Sequence, residues 1–318
     1  MSEIRVASMF AGIGGICIGF KQAGYDLVWA NEVDSAACKT YRRNLGDSWL
    51  RTGDIKKIAP QDVPDMDVLT AGFPCQSFSI AGSQRGFNDP RGNLFFEIAK
   101  IIDKKRPKAI FLENVSNLLE HDCGKTFLVI YNSLVQFGYV VHYRIMEANL
   151  YGNLPQTRSR IFVVAFLDFK ASEKFRFPDP IDLTININDL VRRCERKHEV
   201  YYYQHNSDFQ LKYGHMKFDY NSIYRMSDKG PTRVRNQFCP TLTANMGTYP
   251  DRVPIVRDNY GVRKLTLREC LDFQGFPSDF KFPNTISIND AYKQIGNSVC
   301  IPVVKRIADK LKLSLTLT

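Results

Sequence analysis

Residues 4–15, IRVASMFAGIGG, decide the fold class of this chain. The apolar run IRVASM has the length and composition of a buried strand, and it leads directly into a turn that contains Gly12, Gly14 and Gly15. Such a turn between a strand and a helix exposes backbone N–H groups to an anionic ligand. Glu32 ends the next apolar run, where a carboxylate can accept hydrogen bonds from ribose hydroxyls. The stretch therefore predicts the nucleoside-binding end of an α/β sheet.

The glycine spacing of this turn leaves two classes of ligand open. One is a nicotinamide or flavin dinucleotide, but the spacing departs from the G-x-G-x-x-G pattern of those sites. The other is a nucleoside-type methyl donor, which carries a carboxylate where a dinucleotide carries a pyrophosphate. Asp54, in the segment GDI, could contact an adenine amino group, although an isolated Asp in a turn is more often a cap. The choice depends on residues further along the chain.

Outward from this stretch, residues 4–166 alternate short apolar runs with helical patterns, which is typical of a doubly wound, mostly parallel α/β sheet. The predicted strands are IRVASM, LVWAN, DVLTA, KAIFLE and RIFVVAF. The predicted helices lie around residues 15–23, 35–44, 94–104 and 125–137.

The regular alternation ends near Asp168, where segments rich in Asn, Asp, Pro and Tyr begin. Helical patterns resume at Thr266, where TLRE reads as a capping box, and again over residues 301–311. We therefore expect a first domain of residues 1–185 and 297–318, a smaller domain of residues 186–268, and a hinge of residues 269–296.

The composition favours a polyanionic partner. Lys and Arg number 43 against 33 Asp and Glu, a net charge of +10 that suits contacts with phosphate groups. Eight cysteines occur without a C-x-x-C pair, so neither a zinc site nor a disulfide framework is expected. No stretch approaches the roughly 20 apolar residues of a membrane span, and MSEIRVASMF does not resemble a signal peptide. The sequence predicts a cytoplasmic protein with no metal and no membrane partner.

A candidate nucleophile follows the third predicted strand. The segment GFPCQSFS puts Pro74 and Cys75 at the carboxyl edge of the sheet, where open α/β folds place their chemistry. Most cysteines are inert core residues, but this position favours catalysis. A thiolate can add to carbon 6 of cytosine, which makes the unreactive carbon 5 a nucleophile. Nearby positive charge would favour the thiolate, and Arg158 and Arg160 are the candidates.

A candidate acid lies at the end of a neighbouring strand. Addition at carbon 6 pushes electrons toward N3 of the ring, and Glu113, in KAIFLENV, could stabilise that charge as a protonated acid. The alternative is an ordinary solvated carboxylate at a strand end. Its neighbour Asn114 could simply shape the turn.

Several motifs along the chain are typical of one family. They are FAGIGG, NEVD, GDI, GFPCQSFS, RGNLFFEI, LENV, LPQTRSRIF, PTLTAN and QIGNSV, in this order. The chain resembles the bacterial cytosine-C5 DNA methyltransferases of restriction-modification systems, over residues 4–166 and 236–311. The resemblance implies a Rossmann-like catalytic domain, a target-recognition domain in the second region, and a monomer.

The resemblance also implies roles for matching positions. Cys75 would be the nucleophile, Glu113 the contact to N3, and Arg158 and Arg160 the anchors of a flipped base. The S-adenosylmethionine pocket would be lined by Phe10, Gly12, Gly14, Gly15, Glu32, Val33, Asp54, Ile55, Pro74, Leu94 and Asn297. Double-stranded DNA would be bound by Gln76, Ser79, Arg91, Arg233, Arg235, Thr241, Thr243 and Asn245. Val33 departs from the family, because several relatives carry a large aromatic residue there to stack on adenine.

Three other functions stay open at this point. A similar fold methylates transfer RNA, so structured RNA is the first alternative substrate. A non-catalytic DNA-binding regulator is the second, although such a protein would be expected to lack Cys75 or Glu113. A nicotinamide-dependent oxidoreductase is the third.

Overall fold

The structure is a computed structural model that describes residues 3–74, 94–205, 207–227, 229–235 and 238–316. The chain divides into two compact units. The first unit comprises Met1–Met146, Ser159–Asp179 and Ile301–Thr318, and the second comprises Glu147–Arg158 and Pro180–Cys300.

The strands are short and numerous. In chain order they are β1 (Arg5–Met9), β2 (Asp26–Glu32), β3 (Leu50–Thr52), β4 (Val68–Gly72), β5 (Ala109–Val115), β6 (Val140–Glu147), β7 (Gln156–Thr157), β8 (Ser159–Phe166), β9 (Ile223–Ser227), β10 (Gly230–Arg233), β11 (Cys239–Pro240), β12 (Ile255–Asp258) and β13 (Gly261–Lys264).

The longer helices belong mainly to the first unit. In chain order the α-helices are α1 (Gly15–Gln22), α2 (Ser35–Leu45), α3 (Leu94–Lys105), α4 (Lys125–Gln136), α5 (Ala148–Tyr151), α6 (Phe169–Lys174), α7 (Ile187–Leu190), α8 (Asp208–Tyr213), α9 (Asn245–Thr248), α10 (Leu267–Asp272), α11 (Ile288–Gly296) and α12 (Ile301–Thr316).

The first unit is built on a seven-stranded sheet of order β3-β2-β1-β4-β5-β8-β6. The pairs β1–β2, β1–β4, β2–β3 and β4–β5 are parallel, and β5–β8 is antiparallel. Along the central strand β4, Val68, Leu69 and Ala71 are fully buried, as expected where helices cover both faces of a sheet. The predicted doubly wound, mostly parallel sheet is confirmed.

The five predicted strands and the four predicted helices of this region are all present, with ends that move by one or two residues. Two strands of the seven-stranded sheet were missed for local reasons. β3 has three residues, which is too short for a periodic pattern. β6, VVHYRIME, is an edge strand with an exposed middle, so it lacks a continuous apolar run. The final helix extends past residue 311 to Thr316.

The order of the strands reverses between β1 and β4. From β1 the sheet continues through β2 and β3 on one side, and from β4 through β5 on the other. Met9 pairs with Ala71, so the segments that leave these two strands start side by side at the carboxyl edge. In open α/β sheets, a crevice at this point is where ligands bind.

The second unit contains a four-stranded sheet of order β10-β9-β12-β13. Tyr224 on β9 packs with Phe209, Phe218 and Ile255 in a small aromatic core. The ring of Tyr203, from the tyrosine run, stacks on Phe209 with centroids 3.7 Å apart. This unit therefore has a hydrophobic core of its own.

A fully buried arginine ties this sheet to the next helix. Arg263 Nε lies 2.5 Å from Asp258 Oδ2, and its two terminal nitrogens each lie 2.8 Å from an oxygen of Glu269. Glu269 Oε2 also accepts from the backbone N–H of Thr266. The predicted capping box is present, and its acid neutralises a buried cation as well.

The two units differ from the domain boundaries expected from the sequence. Residues 147–158, 180–185 and 297–300, expected in the first domain, fall in the second unit, and so does the expected hinge of residues 269–296. The reason is pairing across a long separation in sequence: β7 lies parallel to β11, and the backbone N–H of Cys239 donates to Pro155 O at 2.7 Å. The roles assigned to the domains stay predictions.

Among the described residues, no helix has both the length and the apolar character needed to cross a lipid bilayer.

Candidate active site

The turn after β1 is held in a backbone conformation that glycine favours. Gly12 and Gly14 have φ values of +56° and +91°, and Phe10 also has a positive φ, +54°. A Cβ at Gly14 would lie 2.2 Å from Leu45 Cδ1, so a larger residue would clash as well as be strained. A non-glycine residue such as Phe10 in this region costs on the order of 1 kcal/mol, a strain common at ligand-binding sites.

Glu32 fixes this turn to the end of β2. Its carboxylate accepts hydrogen bonds from the backbone N–H groups of Gly12, Val33 and Asp34, each at 2.8 Å. A carboxylate offers about four acceptor positions, so these bonds leave capacity for a ligand hydroxyl. Glu32 therefore shapes the turn in addition to the ribose contact predicted for it.

The loop that carries Asp54 is tied to the same edge. The side-chain amide of Asn31 donates to Arg51 O at 2.9 Å and to Gly53 O at 3.0 Å. Asp54 Oδ1 accepts from the backbone N–H of Lys56, so the cap predicted as its alternative role is present. The cap bond uses one carboxylate oxygen of Asp54, and the other oxygen could accept a hydrogen bond from a ligand.

The residues at this edge fit a nucleoside. Val33, directly after Glu32, is 65% exposed, which is unusual for a branched apolar residue and leaves a surface that a flat ring could cover. Glu32, directly before Val33, has a carboxylate that could bind ligand hydroxyl groups. Asp54, in a later loop at the same edge, has one that could bind a ligand amino group. S-adenosylmethionine presents these groups, so the residues suit the cofactor that the sequence predicts.

The other predicted pocket residues vary in exposure. Phe10 and Leu94 are half-buried against the core of the first unit, and Pro74 is exposed. Ile55 is 3% exposed and belongs to that core, so its side chain supports the loop from below. Asn297 belongs to the second unit, where it ends α11.

A second group of residues meets at the ends of β4 and β5. Gly72 pairs with Glu113 across these strands. The side chain of Asn114 is buried, donates to Phe73 O at 2.9 Å, and accepts from the backbone N–H of Val115 at 2.8 Å. Asn114 therefore does more than shape a turn: it holds the segment that leads into Pro74 beside Glu113.

Cys75 follows this segment and lies outside the described residues. The predicted DNA contacts Gln76, Ser79 and Arg91 lie outside them too. Their roles stay predictions.

Glu113 forms an ion pair with Arg160. Arg160 Nε lies 3.1 Å from Glu113 Oε1, and both side chains are at most 15% exposed. The geometry follows from the antiparallel β5–β8 pairing, where Arg160 lies opposite Val115, two residues from Glu113 on the same face of β5. The sequence indicated Arg160 as a partner of the thiol, and the structure gives it Glu113 as a partner.

Arg158 belongs to the second unit and is 3% exposed. Its guanidinium donates to the backbone carbonyls of Leu242, Gly296 and Ser298. These carbonyls come from three separate segments of that unit. Arg158 therefore stabilises the second unit, and the base-anchoring role predicted for it stays a prediction.

Three of the predicted DNA-reading residues gather in a cleft of about 620 Å³ in the second unit. Its lining includes Thr241, Thr243 and Asn245, together with Arg225 and Tyr249, which the sequence analysis did not single out. Isolated residues of this kind carry no motif, so their joint position depends on the fold.

The other two predicted DNA contacts do not line this cleft. Arg233 forms an exposed ion pair with Asp219 at 3.3 Å, and Arg235 is exposed.

Buried cysteines elsewhere are poor nucleophiles. Burial raises the pKa of Cys17, Cys239 and Cys270 above the ordinary thiol value. Burial, with the nearby charge of Glu32, raises the pKa of Cys38 to about 11. These thiols stay protonated at neutral pH, which agrees with the expectation that most cysteines here are small core residues. Within the described part of the chain, no group of three or more His, Cys, Asp or Glu side chains could hold a metal ion.

Comparison with known proteins identifies the family. A family model described as C-5 cytosine-specific DNA methylase matches residues 4–313. The chain belongs to this family. The resemblance indicated by the motifs is confirmed, and this C-5 cytosine-specific DNA methylase is an enzyme that acts on DNA, which favours DNA over the structured RNA considered above.

Relatives of this methylase cover almost its full length. It is 44% identical over 315 residues to the Type II methyltransferase M.Bsp6I of Bacillus sp. (strain RFL6), covering 98% of this chain and 99% of that protein. It is 40% identical over 322 residues to the Type II methyltransferase M.SsoII of Shigella sonnei, covering 96% and 79%. A crystal structure of a Spodoptera frugiperda DNMT2 mutant superposes with a TM-score of 0.76 at 19% identity, covering 98% and 100%. This last likeness shows the fold alone.

Proposed function

We propose that this methylase transfers a methyl group from S-adenosylmethionine to carbon 5 of a cytosine flipped out of double-stranded DNA, with Cys75 as covalent nucleophile. The observation that carries the proposal is the hydrogen bond from Asn114 to Phe73 O, beside Glu113 at the end of β5. It fixes the backbone two residues before Cys75 next to a carboxyl group. A nucleophile and an acid on neighbouring strand ends suit a ring that is attacked at carbon 6 and protonated at N3.

The proposed reaction begins with the addition of a thiolate to the cytosine ring. The Cys75 thiolate forms a bond to carbon 6, and the electron pair of the 5,6 double bond is stabilised through the ring by a proton that Glu113 holds at N3. Carbon 5 would then take a methyl group, which S-adenosylmethionine would supply from its sulfonium as it becomes the thioether S-adenosylhomocysteine, and the proton at N3 would return to Glu113. A base removes the proton of carbon 5, the bond from Cys75 to carbon 6 breaks, and the thiolate is regenerated. The target cytosine must leave the duplex because both faces of its ring are used, and this costs a few kcal/mol.

Arg160 has a positioning role in this proposal. Its contact with Glu113, at 3.1 Å, would orient the carboxyl group at the strand end. A fixed acid loses no conformational entropy when the base arrives, which lowers the barrier. Arg158 stabilises the second unit through the backbone carbonyls of Leu242, Gly296 and Ser298.

The methyl donor would be held by the carboxyl edge of β1 and β2. Glu32 would accept from a ribose hydroxyl, Asp54 would bind the adenine amino group, and Val33 would pack on the ring. The N–H groups of the turn at Gly14 and Gly15 would face the donor's carboxylate.

The biological setting proposed here is a bacterial restriction-modification system. Two relatives that match nearly the whole chain are named Type II methyltransferases. Methylation would then protect host DNA from a cognate endonuclease, and the protein would act as a monomer in the cytoplasm, associated with the nucleoid through DNA.

The first test measures the covalent step. We expect that Cys75→Ser abolishes transfer of labelled methyl groups to DNA while binding of DNA is largely kept, because the hydroxyl is a far weaker nucleophile toward carbon 6. Duplex DNA with 5-fluorocytosine at the target should become covalently bound to the wild-type protein when S-adenosylmethionine is present, since fluorine cannot leave as a cation. Cys123→Ser, at an exposed cysteine, is the matched control and should behave as wild type.

Turnover by the Cys75→Ser variant would remove the covalent mechanism. Labelling of total RNA but not of DNA by the wild-type protein would overturn the assigned substrate.

A further inference from the structure

The described lining of the cleft in the second unit contains basic side chains. Its lining includes two exposed arginines, Arg225 and Arg252, and among the described residues neither Asp nor Glu contributes to it. Arg225 therefore brings a positive charge to a wall whose described residues include no acid. Such a cleft favours a ligand that is negatively charged or rich in hydrogen-bond acceptors.

Arg225 is directed away from the core by the strand that carries it. Its neighbours on β9, Tyr224 and Met226, both pack in the aromatic core of the unit. Because successive side chains of a strand point to opposite faces, Arg225 lies on the other face, opposite Thr232 of β10. It is exposed there.

The two arginines differ in what they contact. Arg252 donates to Met226 O at 3.4 Å. The side chain of Arg225 makes no hydrogen bond or ion pair with any described residue, so its guanidinium has all five N–H donors available. Arg225 is therefore the side chain best able to give two parallel hydrogen bonds to a ligand.

The remaining wall suits a base edge better than a phosphate. Thr243 and Asn245 supply both donors and acceptors, and Pro240 and Pro254 supply apolar surface. A phosphate offers acceptors alone, whereas the edges of base pairs in the major groove offer donors, acceptors and the thymine methyl group. Arg225 also lies on β9, next to the edge strand β10 of an antiparallel sheet, and some DNA-binding proteins place strands of this kind in the major groove.

We propose that Arg225 reads a guanine in the target sequence of this methylase, by two hydrogen bonds to O6 and N7 in the major groove. The inference rests on the proposed function and adds to it one base of the recognition sequence and the residue that selects it. Bidentate pairing with guanine is the commonest specific contact that arginine makes with DNA.

The test uses the full-length enzyme, S-adenosylmethionine and a library of duplexes in which the positions around a cytosine are randomised. Bisulfite sequencing then gives the preferred bases at each position. The wild-type enzyme should require guanine at one or more positions. Arg225→Ala and Arg225→Lys should each lose roughly 5- to 150-fold of the discrimination at one such guanine and keep the other preferences.

The lysine variant distinguishes a base contact from a phosphate contact. Lysine keeps the charge but not the planar pair of donors, so a phosphate contact would survive in Arg225→Lys and guanine reading would not. Arg192→Ala removes the same charge from an exposed site of the same unit outside the cleft, and it should leave every preference unchanged. Thermal unfolding of each variant checks that the fold is retained.

Two results would overturn the inference while leaving the proposed function intact. One is an unchanged guanine preference in both Arg225 variants. The other is a uniform loss of activity on all sequences in Arg225→Ala, with a smaller salt dependence and recovery in Arg225→Lys, which would make Arg225 a phosphate contact. Absence of methylation of any duplex by the wild-type enzyme would instead remove the proposed function, and the inference with it.

Discussion

Asn114 shows how one side chain can fix the segment before the proposed nucleophile. It lies at the end of β5 and reaches 41 positions back along the chain to hold the carbonyl of Phe73. Both polar atoms of its amide are used, and the side chain is buried. A buried carbonyl that loses its donor costs about 1–3 kcal/mol. Asn114 therefore fixes the backbone that leads to the proposed nucleophile, Cys75.

We predict that Asn114→Asp lowers the turnover number much more than it lowers stability. The carboxylate would face Phe73 O without a proton to donate, so the segment before Cys75 would shift. A misplacement of about 1 Å can cost on the order of 10²-fold in rate, whereas the stability loss should stay near 1–3 kcal/mol. Steady-state methyl transfer and urea unfolding measure the two effects.

Asn44→Ala provides the comparison for this variant. Asn44 donates a similar hydrogen bond to Thr40 O within α2, away from the ends of β4 and β5. It should lose some stability and keep its turnover number. Wild-type turnover in Asn114→Asp would show that the Phe73 contact is not needed for catalysis.

At the scale of elements, close packing of backbone determines the position of the segment proposed to read DNA. Gly296 ends α11, and a Cβ there would lie 2.1 Å from the carbonyl carbon of Thr243 and 2.3 Å from Ala244 N. Gly247, in α9, is equally close to the other end of this helix, since its Cβ would lie 2.3 Å from Asn289 O. Two small residues thus allow α9 and α11 to touch through their backbones.

We predict that Gly296→Ala lowers the free energy of unfolding by about 1–3 kcal/mol, because the backbone must move to accept the methyl group. Thr243 would be displaced in the cleft, so discrimination between target sequences should weaken as well. Urea unfolding and methylation of the randomised duplexes test both effects. Asn289→Ala, at an exposed position of the same helix, should be neutral or slightly stabilising. Equal stability of Gly296→Ala and the wild-type protein would contradict the predicted clash.

At the scale of the whole molecule, the net charge of +10 determines how the enzyme meets its substrate. Each phosphate that a Lys or Arg neutralises releases a counterion, so the logarithm of the affinity falls linearly with the logarithm of the salt concentration. If six to ten phosphates are contacted, affinity for duplex DNA should fall by about 10³- to 10⁵-fold between 50 and 200 mM salt. Fluorescence anisotropy of labelled duplexes measures this slope.

Binding of S-adenosylmethionine over the same salt range is the internal control, and it should change far less. A flat salt dependence for DNA would mean that the excess of basic residues lies away from the duplex.

Much of the first unit could be predicted from its sequence. Residues such as Val68 and Leu69 lie in apolar runs whose lengths and spacing encode strands that are buried on both faces. The capping box at Thr266 was equally readable, because it depends on residues three positions apart. The motifs also identified the family. Local patterns suffice for these features.

The site was only partly predictable, because local patterns do not contain the contacts between distant segments of the chain. Glu113 and Arg160 could be named as candidates, but not as a pair. The pair depends on the antiparallel strands β5 and β8, and α4, β6, α5 and β7 lie between them along the chain. Arg225 belongs to no motif, and only the fold brings it to the cleft of Thr241 and Asn245.

The sequence by itself determined the fold class, the family and the identity of the candidate nucleophile, since these depend on residue types and on short-range periodicity. The tertiary structure decided which side chains act together: Asn114 with Phe73, Arg160 with Glu113, and Arg158 with Leu242, which is 84 positions away. It also assigned residues 147–158 to the second unit. The physical reason is that hydrogen bonds and ion pairs depend on distance in space, which a pattern along the chain does not contain.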